Sequence, residues 1–136
     1  MRSVADFYQD CQAVAHAVPP LDVKLADAVS CVLAEDVQAP FNLPVADLSA
    51  CDGYAVRVRD CEGATLETPV TLPVTEEIRA GAVDPAALVP GTAIRIASGA
   101  PMPTGAEAVV SLEFTDHGIA QVALRTAPAS GENIRR

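Results

Sequence analysis

The sequence predicts an α+β fold that is mostly β, an irregular β lobe preceded by one or two N-terminal helices. Helical spacing of apolar residues is confined to positions before residue 34, whereas from Tyr54 onward short runs of strand-forming residues alternate with Gly and Pro turns. With 50% apolar residues, 4% aromatics and no Trp, the chain of 136 residues can fill one domain's core, mostly with Val, Leu, Ile and Ala.

The first helix begins after Ser3, a capping residue supported by Asp6, and Val4, Phe7, Cys11, Val14, Ala15 and Val18 follow helical spacing until Pro19-Pro20 stops it. Its apolar stripe must pack on a sheet or on a partner subunit. Leu21, Val23 and Leu25 alternate with Asp22 and Lys24 as a short extended lead. Ala28, Val29, Val32 and Leu33 return to helical spacing, and Glu35 to Ala39 reads as extended.

The stretch Pro40 to Arg57, PFNLPVADLSACDGYAVR, organises the rest. Pro40 and Pro44 fix φ and remove two donors, Asp52-Gly53 can turn the backbone with positive φ, and Tyr54-Ala55-Val56 resumes strand chemistry. Gly53 also permits close backbone approach beside the Asp52 carboxylate. Taken alone, Asp-Gly reads as an ordinary turn.

Asp60 to Ala64 is a polar turn, and Val70 to Val74 alternates, but Pro73 cannot donate to a ladder, which predicts an edge or broken strand. Glu76 to Ala80 reads as the next strand, Asp84-Pro85 and Pro90-Gly91 bracket a loop, and Ala93 to Ala97 is a strand. Ser98 to Gly105, SGAPMPTG, has two Gly and two Pro and reads as a rigid loop. Ala108 to Glu113 and Ile119 to Arg125 flank Asp116-His117-Gly118 as an expected hairpin, and the tail from Thr126 has linker composition.

The net charge of −9, from 9 basic and 18 acidic side chains with the basic ones scattered, argues against nucleic-acid binding. Asp6, Asp10 and two prolines within the first twenty residues do not suit a secretory segment, and no apolar run approaches the ~18 residues of a membrane span. The expectation is a soluble, cytoplasmic protein. Cys11, Cys31, Cys51 and Cys61 form no C-x-x-C pair, and His16 and His117 complete no metal set. They read as reduced, mostly buried thiols, two disulfides being the alternative.

The signature PFNLPVADLSACDGYAVR, then Arg79-Ala80-Gly81, then Arg95 to Val110 (RIASGAPMPTGAEAVV), then Gly131 to Arg136 (GENIRR) resembles the molybdopterin molybdenumtransferase (MoeA) family, which includes the E domain of gephyrin. These ordered blocks extend the resemblance over essentially the whole chain. It implies an enzyme of molybdenum cofactor biosynthesis that cleaves the phosphoanhydride of adenylylated molybdopterin and inserts molybdate into the dithiolene, releasing AMP, with Mg²⁺ as cofactor. It further implies a homodimer in which the β lobe of one subunit faces the pterin-binding domain of its mate.

Carried onto this sequence, the resemblance makes Asp52 and Ser98 the catalytic candidates. Asp52 matches the family's Asp-Gly-Tyr-Ala motif, and its carboxylate can hold Mg²⁺ directly or through water. Ser98 stands where the family mostly has Thr and keeps the hydroxyl while losing a methyl. Gly53, Gly99 and Gly105 are the cofactor-binding candidates: the latter two can turn backbone N–H groups toward an anion, or simply form turns. Cys51, usually Met in the family, reads as a core filler. Arg95 and Arg135-Arg136 can contact phosphate, Glu113 reads as a solvated carboxylate, and Glu107 stays open between structure and chemistry. Ser30-Cys31 replaces a Gly-Arg pair, a change expected to concern packing.

The implied division is a helical and linker unit from residues 1–40 and 126–136, a β lobe at 41–125, and no counterpart of the family's α/β pterin-binding domain. No G-x-G-x-x-G or P-loop replaces that domain. The expectation is the N-terminal part of such an enzyme, inactive alone. A free-standing dimerisation or scaffold module of the same fold is the alternative.

Overall fold

The computed structural model describes residues 2–136, which divide into two units, one ending at Ala39 and one running from Pro40 to Arg136. In the first, α1 (Val4–Val14) starts with the capping box read from the sequence: Asp6 N–H donates to Ser3 Oγ at 3.1 Å and Ser3 N–H to Asp6 Oδ2 at 3.1 Å. The helix stops earlier than its apolar spacing suggests, with Ala15 already extended at ψ 117°. Val18 precedes Pro19, which disfavours the helical region there and leaves nothing for the last turn to propagate into.

The helix expected over Ala28 to Leu33 does not form. Only a 3-10 turn at Leu25–Asp27 is present, and Ser30 lies at φ 70°, in the left-handed region that terminates helices. The Ser that replaces Gly at this position therefore matters to backbone conformation rather than packing. The extended lead at Leu21 to Leu25 pairs with no strand among the described residues, and Cys11 and Cys31 are exposed rather than buried.

The second unit is built on a five-stranded sheet of order β5-β2-β4-β3-β6, comprising β2 (Gly53–Val56), β3 (Val70–Ile78), β4 (Ala93–Ile96), β5 (Ala108–Ser111) and β6 (Gln121–Leu124). All neighbours are antiparallel except β3 and β4, which Arg79 to Thr92 connects by a crossover long enough for a parallel pair. Strand alternation gives each face a core. Tyr54, Val56, Cys61, Leu72, Val110, Val122 and Leu124 cluster on one, and Ala55, Ile78, Leu88, Ile94, Ile96 and Val109 on the other. A central strand covered on both faces has no solvent side, so β2 is buried along its whole length.

Val70 to Val74 and Glu76 to Ala80 form one strand, whose first half pairs β6 and whose second half pairs β4 across a register shift at Val74/Glu76. Pro73 lies where β3 has a neighbour on one side only, so its missing N–H removes no bond. The expected hairpin does not form, because β5 and β6 occupy opposite edges of the sheet. A 3-10 turn at Leu112–Phe114 carries the chain between the edges, and Thr115 and Leu124 form an isolated antiparallel bridge across the Asp116–Gly118 turn.

Residues 126–136, expected to join residues 1–40, are held in this second unit. There β7 (Ile134–Arg135) pairs antiparallel with β1 (Leu48–Ser49), and Asn133 Nδ2 donates to Val109 O at 2.8 Å.

Candidate functional site

The segment before β2 and the loop after β4 are stitched together by main-chain hydrogen bonds. Ser49 N–H donates to Ala100 O at 2.9 Å, Gly99 N–H to Ser49 O at 2.9 Å, and Met102 N–H to Asp47 O at 2.9 Å. Ser49 is buried, with its hydroxyl donating to Cys51 O at 2.6 Å. Because β2 starts where its antiparallel partner β4 ends, this seam brings together residues 46 positions apart. Ser98 N–H donates to Asp52 Oδ1 at 2.7 Å, and Ser98 Oγ donates to Ala50 O at 3.3 Å.

Beside this pair is an open recess of about 200 Å³ lined by Asp52, Gly53, Glu77, Arg95, Ile96, Ala97 and Leu112. Asp52 and Ser98, the candidate catalytic residues, are thus adjacent, exposed and tied to one end of the sheet. A carboxylate whose first oxygen is held by a main-chain donor keeps its second oxygen free to accept or to ligate.

The candidate glycines behave differently from one another. Gly53 lines the recess but does not turn with positive φ. It is buried in β2, paired with Ile96 and Ser111, and a Cβ there would meet Val110 O. Gly99 does adopt φ 76°, yet its N–H is bonded to Ser49 O and is not turned toward an anion. Gly105, at φ 90°, packs near Leu88 O and does not line the recess.

Among the other candidates, Glu107 is structural: its Oε2 accepts from Val58 N–H at 2.9 Å at the start of the 3-10 turn Val58–Cys61. Burial, then the neighbouring Asp52 charge, push the Cys51 thiol up, as suits a core filler beside the site rather than a nucleophile. Among the described residues no three His, Cys, Asp or Glu side chains gather as a metal-binding group. A magnesium ion would find one held carboxylate in Asp52, which fits a metal carried mainly by water and substrate phosphates and not one caged by protein.

Glu77 was missed as a recess residue. Its signal was available in the alternation of the strand from Glu76, but the partner that aligns it with Arg95 is set by the parallel β3/β4 register, which no local pattern encodes.

The sequence profile described as "MoeA N-terminal region (domain I and II)" matches residues 2–136. This chain belongs to the MoeA N-terminal region family. Among relatives, the family member is 49% identical over 136 residues to "Molybdopterin molybdenumtransferase 2" of Mycobacterium tuberculosis strain H37Rv, covering 100% of this chain and 34% of that protein. It is 40% identical over 118 residues to the molybdopterin molybdenumtransferase of Bacillus subtilis strain 168, covering 84% of this chain and 27% of that one. A crystal structure of the molybdopterin biosynthesis MoeA protein from Pyrococcus horikoshii OT3 superposes with a TM-score of 0.75 at 37% identity, covering 83% of this chain and 30% of the other. This MoeA N-terminal region therefore spans about a third of the length of the relatives it matches.

Proposed function

We propose that this chain supplies one wall of a molybdenumtransferase site, where molybdate is inserted into adenylylated molybdopterin and AMP is released. The observation that carries the reading is the Asp52–Ser98 bond at 2.7 Å beside an open recess, in a chain whose relatives are named molybdopterin molybdenumtransferases. The Ser98 N–H fixes one oxygen of the Asp52 carboxylate, which leaves the other available to a metal or a substrate group. Mg²⁺ bound there would neutralise phosphate charge and polarise the phosphoanhydride. The Ser98 hydroxyl can exchange its bond to Ala50 O, long at 3.3 Å, for one to a substrate oxyanion.

The recess is open, and a phosphoanhydride reaction is better served by a site closed from water. A second wall is therefore part of the proposal: the pterin-binding domain of the same family, in a cytoplasmic homodimer. The alternative, a non-catalytic dimerisation module, draws on the first unit, where no described residue is buried and Val4, Phe7, Tyr8 and Val14 of α1 are all exposed.

The two readings separate in a chimera joining this chain to the remaining two thirds of the mycobacterial relative, assayed for molybdate-dependent AMP release. The enzyme reading expects turnover that Asp52→Asn lowers by about 10²-fold or more. Equal turnover by the two chimeras at equal protein level would leave the module reading in its place.

A further inference from the structure

Glu77, Arg95, Tyr54 and Val110 form one row across β3, β4, β2 and β5, so their side chains leave the sheet on the same face. Asp52, just before β2, and Arg95 both line the recess, of which Arg95 is the sole basic residue. Glu77 is the register partner of Arg95, yet Glu77 Oε1 pairs instead with Arg79 Nε at 3.5 Å, and no ion pair among the described residues involves Arg95. The guanidinium is half-buried in a chain of net charge −9. An unpaired planar cation in a recess is suited to fork-like recognition of an oxyanion.

We propose that Arg95 orients a tetrahedral oxyanion, phosphate or molybdate, in the recess beside Asp52. This rests on the reading of the recess as a substrate wall. Asp52 and Glu77 line the same recess and would repel an anion placed away from the guanidinium, so Arg95 also fixes where the anion sits.

The test is an NMR titration of the full 136-residue chain in Mg²⁺ buffer with inorganic phosphate in one arm and molybdate in the other, following the Arg95 Nε–H and the amides of Asp52, Ala97 and Ser98. Saturable shifts of the Arg95 resonance are expected, with the tighter arm naming the oxyanion. Arg95→Ala should weaken binding about tenfold or more and Arg95→Lys less, while Arg59→Ala, exposed and outside the recess lining, leaves it unchanged. The dispersion of each spectrum reports whether the variant is folded. If the amides near Asp52 shift while Arg95 Nε–H does not, or Arg95→Ala binds as the unmodified chain does, the assignment of Arg95 is wrong and the recess reading stands. If nothing in the recess responds to either anion, both fall.

Discussion

Gly53 and Val110 approach so closely that a Cβ on the glycine would lie 2.1 Å from the Val110 carbonyl oxygen. The obstacle is the backbone of an adjacent sheet strand, which cannot move aside as a flexible side chain would. Gly53→Ala is therefore expected to destabilise the β lobe by about 3 kcal/mol or more, well above an ordinary helix or strand glycine substitution. Urea denaturation measures this directly. A loss below about 1 kcal/mol would mean that β2 and β5 can separate without cost.

The Tyr54 hydroxyl donates to Gly118 O at 2.9 Å and ties the central strand to the Asp116–Gly118 turn. Tyr54→Phe keeps the buried ring and removes only this bond, so a loss of about 1–2 kcal/mol with an unchanged far-UV spectrum is expected. A Tyr54→Phe midpoint equal to the parent's would show that solvent satisfies the Gly118 carbonyl.

Much of the fold was legible in the sequence, and most of the exceptions are long-range. The Ser3 capping box, the strand after Asp52-Gly53 and the rigid loop from Ser98 depend on neighbours within a few positions, and their residues announce them. The β5 and β6 strands were visible as strands but not as opposite edges, because strand pairing is decided by contacts far apart in sequence. The Asp52–Ser98 pair was expected from resemblance, yet that the contact runs through the main-chain N–H of Ser98 was not readable from the side chains. The left-handed Ser30 escaped notice because Ser, unlike Gly, does not advertise that conformation.

Alkaline pH should weaken the lobe through Cys61, whose thiol is pushed up from 9.0 to about 11 by burial first and the Asp60 charge second. The folded state resists ionisation that the unfolded chain allows, so this contribution is complete below pH 9 and is lost as pH rises toward 11. Denaturation midpoints measured across that window should fall less steeply in Cys61→Ala. Alkylation followed by mass spectrometry at pH 8 gives a second check. Exposed Cys11 and Cys31 should react readily and Cys61 only after unfolding.

Acid should act on the turn that holds Tyr54. Asp116 Oδ1 accepts from Ala123 N–H at 2.9 Å and Gly118 N–H at 3.1 Å, and the bond from Ala123 is the main cause holding this carboxyl below 3.8. Its stabilisation is present above the unfolded value and lost as pH falls through the lower folded one. Asp116→Asn should therefore flatten the acid limb of the stability profile. Because the carboxylate is exposed, the effect is expected to be modest, and an acid limb as steep as the parent's would assign the loss to other carboxylates.

The pairing of β1 with β7 has a practical corollary. Leu48 and Arg135 are opposite one another, so the chain enters and leaves the five-stranded sheet at neighbouring points, roughly 5 Å apart in an antiparallel pair. Everything between them forms a portable cassette whose ends fit a tight surface bend of an unrelated host. Splicing residues 48–135 into such a bend would transplant the Asp52 recess intact, with the two-stranded clasp as its only mechanical link to the recipient.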